Sequence, residues 1–207
     1  MKKERKSKSL VMLGSLLILL GIFLVAYDIY NVYQKINNEK IAIQEFYNNE
    51  EIINEKEDNI EETEVKKETN ESPKINYVAV LKIPKINLER GLVNRNSYLN
   101  DVKYNIQILK DSDNPDVKNG NVILASHSGN SRVSYFRNLN KLTYEDEVYL
   151  IYNGKTYYYR VVDMYDVEKN GTVEIIKNKD TTTLTLITCR HNTNKQIVVI
   201  CELVEIK

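Results

Sequence analysis

Tryptophan is absent from this chain, and cysteine and histidine occur only twice each. Two cysteines cannot make a multi-bridge disulfide scaffold or a cysteine-based structural zinc site, and two histidines leave little room for a metalloenzyme. Three prolines and seven glycines exclude collagen-like and Pro/Gly low-complexity chains. Net charge is missing as well, since 29 Lys and Arg balance 29 Asp and Glu. The 207 residues suit one domain of ordinary size with appendages, and no internal repeat interrupts them.

The neutral total hides a block structure. Residues 1–8 carry a net charge of +4, residues 39–72 a net of −8, and residues 73–207 a net of +4. Between the first two blocks runs LVMLGSLLILLGIFLVAY, residues 10–27, without a single charge. Eighteen helical residues span about 27 Å, close to a bilayer's hydrocarbon thickness. The run exceeds a usual signal-peptide core, and Asp28-Ile29-Tyr30-Asn31 offers no small-residue cleavage site after it. Residues 10–27 therefore read as an uncleaved transmembrane signal anchor at the cell membrane, crossed once. The positive-inside rule keeps a basic tail, residues 1–9, in the cytoplasm and sends the rest outside. Residues 28–73 read as a polar, acidic stalk, in which 28–47 keep enough scattered apolar residues to continue the helix and 48–72 look solvated.

Beyond Ser72-Pro73 the composition turns to β-branched and aromatic runs. Strands are expected at 77–83, 86–92, 104–109, 121–127, 147–153, 155–167, 183–189 and 197–206, with an Asn153-Gly154 hairpin turn and one helical patch over 134–142. Eight short strands in residues 74–207 predict a mainly β domain, a barrel or a sandwich.

Two reactive side chains end expected strands: Cys189 closes TLTLITC and His127 closes NVILASH. A thiol after a β-run, with a distant histidine, is a candidate nucleophile and proton-transfer partner, because an imidazolium favours the thiolate and can then protonate a leaving amine. The alternatives are a Cys189–Cys201 disulfide across neighbouring strands, which an extracytoplasmic compartment permits, or two inert thiols. Cys201 shares the parity of Ile197, Val199 and Leu203, as a small core residue would.

Thr185-Leu186-Ile187-Thr188-Cys189 resembles the TLxTC signature of sortases, the membrane transpeptidases of Gram-positive bacteria. IVVICEL resembles that family's last strand, LKIPKINLE (81–89) its early I-P-K strand pair, and ASHSGNSRVSYFRNLNKL (125–142) the segment in which a catalytic histidine ends a strand. The resemblance covers 77–203 in order and implies an eight-stranded sortase-type β-barrel with short helices over 74–207, behind one N-terminal transmembrane helix. It implies cleavage of LPxTG-like C-terminal sorting signals on surface proteins through a thioester on Cys189, with His127 as acid and then base, and transfer to an amine of cell-wall precursor or protein. A competing expectation is a surface binding or scaffold protein of sortase fold with weak turnover. No nucleic acid is implied as a partner.

The family's third catalytic residue is an arginine on the strand after the cysteine. Aligning IVVI with that strand places Lys195 there, or Gln196 after a one-residue slip, while Arg190 is the arginine next to the cysteine. Lys195 is the expected cationic third member, with Arg190 as its alternative; His191 reads as a surface loop residue. No cofactor is expected: Asp111, Asp113 and Asp116, which resemble part of the calcium site of some class A sortases, read as turn acids. About fifteen residues between the sixth and seventh strands leave little room for a class B-like insertion, and residues 48–80 lack the Asp-Pro-aromatic lid of pilin-polymerising members. A general protein-anchoring or class D/E-like role is the expected subclass.

Overall fold

The computed structural model describes residues 2–57, 75–170 and 172–207. The chain divides into two compact units, Met1–Ile41 and Ala42–Lys207. One helix, α1, covers Lys2–Glu57. Its most apolar eighteen-residue window has a mean hydropathy of 2.3 and none of it is buried, so α1 is a candidate membrane anchor. A helix apolar on all sides, with Leu16, Ile18 and Phe23 each more than 60% exposed, has no soluble core to enter and suits lipid.

Helix continues past the anchor through residues expected to be stalk: 28–57 are helical, while 58–73 lie outside the described residues. The last turns of α1, from Ala42, belong to the second unit. There Phe46 is buried, the Tyr47 hydroxyl donates to Glu89 at 2.7 Å, and the Glu50 carboxylate accepts the Gly154 amide. These contacts give residues 42–50 a tertiary partner that an acidic composition does not disclose.

The eight strands are β1 (Tyr77–Ile83), β2 (Leu88–Val93), β3 (Gln107–Ile108), β4 (Asn121–Ala125), β5 (Glu147–Tyr152), β6 (Lys155–Glu168), β7 (Thr183–Cys189) and β8 (Lys195–Ile206). They form one sheet in the order β2-β1-β5-β6-β8-β7-β4-β3, antiparallel except for the β4–β7 pair. Its two edges are joined by side chains: Arg90 on β2 donates from Nε to Asn105 just ahead of β3 at 2.7 Å, and the Asn105 amide donates to the Gly91 carbonyl at 2.9 Å. The sheet is thus a nearly closed barrel, and the buried Arg90 guanidinium stacks 4.1 Å over the Tyr135 ring. Gly91 is required by close approach, because a Cβ there would meet the Tyr77 ring at 2.3 Å.

Asn153 and Gly154 both hold positive φ, 49° and 73°, the conformation that lets two residues turn β5 directly into β6. The helical patch expected over 134–142 is instead a set of turns ending in a 3₁₀ turn, Leu139–Lys141. Its apolar residues Phe136, Leu139 and Leu142 recur every third position, which matches the 3₁₀ period rather than 3.6, and all three are buried in the core.

Alternation along the strands separates two faces. Val122 and Leu124 of β4, Leu184 and Leu186 of β7, and Ile197, Val199 and Cys201 of β8 fill the barrel interior. The other parity, including Ile123, Thr185, Ile187, Val198 and Ile200, forms a second buried face outside that core. Tyr165 of β6, paired with Val198, lies on this outer face and ties the irregular β6–β7 connection to it: its hydroxyl donates to the Glu174 carbonyl at 3.0 Å and accepts the Ile176 amide at 2.7 Å. Lys177 fastens the same connection to the Asn119 carbonyl at 2.9 Å.

Candidate active site

Cys189 is the last residue of β7 and is partly exposed, whereas Cys201 lies inside the barrel with no accessible surface. Both thiols are free. A bridge between them is ruled out by register: Cys201 pairs with Leu184 and Cys189 with Gln196, so the cysteines stand five rungs apart on opposite faces. Burial drives the Cys201 thiol far above its ordinary pKa, leaving it protonated and inert. Titration of the native full chain with a thiol reagent should therefore show one fast-reacting cysteine, mapped to Cys189, and a second that reacts only after denaturation.

The parallel pairing of β4 with β7 sets the place of His127. Its rungs run from Asn121 opposite Thr183 to Ala125 opposite Ile187, a constant offset of 62 residues. Just past the end of β4 the Ser126 amide donates to the Ile187 carbonyl at 3.3 Å, and the Thr188 hydroxyl donates to the Ser126 carbonyl at 2.6 Å. His127 and Cys189 each lie two residues past the last rung of this pair, Ala125 opposite Ile187, and His127 is exposed. β4 itself stops at Ala125, two residues short of the expected strand end. The turn after it is closed by the Phe136 amide, which donates to the His127 carbonyl at 3.1 Å, and by Arg137, which donates to the Gly129 and Ser131 carbonyls at 3.0 and 2.8 Å.

Arg190 and Lys195, by contrast, do not share the face of Cys189. They form the rung after Cys189–Gln196, joined by the Arg190 amide donating to the Lys195 carbonyl at 2.8 Å, so their side chains alternate to the core-side parity. Arg190 confirms this placement by reaching across β8 to Asp166 of β6, which pairs with the core residue Ile197; Nε and Oδ1 lie 2.7 Å apart. Lys195 and His191 are exposed. Asp113 accepts the Asn121 amide at 2.7 Å, and among the described residues no three His, Cys, Asp or Glu side chains gather as metal ligands.

The family model for the sortase domain covers residues 81–204. The chain belongs to the sortase family. Its fold is similar to that of a sortase D5 transpeptidase from Clostridium perfringens, with 22% identity and a TM-score of 0.58, covering 82% of this chain and 99% of that one. It is also similar to a lid mutant of sortase A from Corynebacterium diphtheriae (21% identity, TM-score 0.56, 62% of this chain and 70% of that one) and to sortase C1 from Streptococcus agalactiae (24% identity, TM-score 0.55, 62% and 68%). A comparison with curated protein sequences finds no match. Family and fold together support a sortase transpeptidase in general terms.

The parity that separates Lys195 from Cys189 had a signal in the sequence. Cys201 shares parity with Ile197 and Val199, and Lys195 falls on that same core-facing parity. What the sequence lacked was the pairing of β8 with β7, which sets Gln196 opposite Cys189.

Proposed function

We propose that this sortase is a membrane-anchored cysteine transpeptidase in which Cys189 is the nucleophile and His127 the acid and base. The observation that supports the reading is the β4–β7 register: His127 and Cys189 each follow its last rung, Ala125 opposite Ile187, by two residues. The Cys189 thiolate attacks the carbonyl carbon of a peptide bond in an LPxTG-like sorting signal. As the C–N bond breaks, the His127 imidazolium gives its proton to the departing amine, leaving a thioester on Sγ. An incoming amine of cell-wall precursor or protein then attacks the thioester, His127 takes its proton, and the C–S bond breaks to restore the thiolate. Two steps conserve the acyl energy until an amine arrives.

Anchoring through residues 10–27, with residues 1–9 in the cytoplasm and the barrel outside, would hold the enzyme in the plane that also carries its substrates and a lipid-linked acceptor. The test is intact-mass analysis of the full chain in detergent after incubation with a pool of LPxTG-like peptides. The expected result is a mass gain equal to the N-terminal acyl fragment, located on Cys189 by peptide mapping and discharged by added amine. A pool that leaves the mass unchanged refutes the enzyme reading and leaves a binding or scaffold role.

A further inference from the structure

The outer rung that carries Cys189 reads, from β6 across β8 to β7, Val167, Gln196, Cys189. Cys189 is therefore faced across the β7–β8 pair by a glutamine amide. We propose that Gln196 is the third catalytic residue, donating from its side-chain amide to the carbonyl oxygen that becomes an oxyanion when Cys189 attacks. The proposal rests on the reading of Cys189 as the nucleophile.

Directly opposed residues on antiparallel strands share a face, with Cβ atoms about 4.5–5.5 Å apart, and the Cys189–Gln196 rung is such a pair. Three rotatable bonds carry the glutamine Nε2 beyond Sγ, to where an attacked carbonyl would sit. Gln196 is partly exposed, and among the described residues its side chain makes no hydrogen bond, so both amide protons remain for a ligand. The two cations nearest in sequence are turned away: Arg190 is spent on Asp166, and Lys195 shares its face. An uncharged amide is a weaker donor to an oxyanion than a guanidinium, yet it costs less to desolvate and leaves the field at the thiol to His127.

The experiment compares acyl-enzyme formation by the full chain in detergent, followed by rapid-quench mass spectrometry, with alkylation of Cys189 by iodoacetamide. Alkylation displaces iodide at a saturated carbon and forms no oxyanion. Gln196→Ala should slow acylation by about 100–1000-fold while alkylation stays within about threefold of wild type, a split that general disruption of the site would not produce. Gln196→Arg, which offers a charge-assisted donor from the same rung, should acylate at least as fast as wild type. The proposal is overturned if wild type acylates and Gln196→Ala keeps its rate, if acylation and alkylation fall together, or if Lys195→Ala produces the selective loss instead. Absence of acylation in wild type would refute the nucleophile reading itself, and so is distinguishable from failure of the glutamine alone.

Discussion

Replacing His127 with alanine should lower peptide turnover by about 100–10,000-fold, the usual contribution of a positioned general acid and base. The loss should come with little change in stability, because His127 is exposed and follows the end of β4, where a surface substitution typically stays within about 0.5 kcal/mol. Steady-state transfer of a sorting peptide to a small amine, measured beside the melting curve, checks both halves. With 15 tyrosines and no tryptophan, tyrosine fluorescence or near-UV circular dichroism reports the melt. A variant that transfers normally would remove His127 from the mechanism and return attention to the exposed His191.

Phe136→Ala should have the largest effect on the fold. Phe136 has no accessible surface, belongs to the main core cluster, and its amide closes the turn on the His127 carbonyl. Truncating such a phenylalanine costs about 3–5 kcal/mol, from lost transfer energy and the cavity left behind. For a domain of this size that is a fall in Tm of roughly 10–20 °C. Because the same residue anchors the turn after His127, activity should drop at temperatures where the variant is still folded. Phe136→Leu, which keeps most of the volume, should recover most of both losses. A melt within 3 °C of wild type would show that the turn is held by Arg137 and its two carbonyl partners alone.

Much of this architecture is legible from one dimension. The YVAVLKI and TLTLITC runs became β1 and β7 with their expected ends, and the Asn153-Gly154 turn took the positive φ pair that its chemistry demands. These are local features, decided by the alternation of apolar residues and by backbone preference within a few residues. The 134–142 segment failed as a helix because three core residues at threefold spacing satisfy a 3₁₀ path as well as an α one. The helical continuation through 28–57 was only half visible, since the burial of Phe46 and the Tyr47–Glu89 bond depend on residues far along the chain.

By itself, then, the sequence determined an apolar helix long enough to span a bilayer, a run of strands sufficient for a barrel, and a thiol and an imidazole near two strand ends. It could not decide which residue faces that thiol. A slip of one position along β8 exchanges Gln196 for Lys195 and carries every side chain to the opposite face, and composition weighs the two registers equally. Burial of Ile197, Val199 and Cys201 in the barrel settles the register, and with it places Lys195 on the parity away from Cys189, ties Arg190 to Asp166 and leaves an amide opposite Cys189. Tertiary packing decides here because the core penalises the wrong parity at several residues at once, whereas the active-site residue contributes almost nothing to that choice.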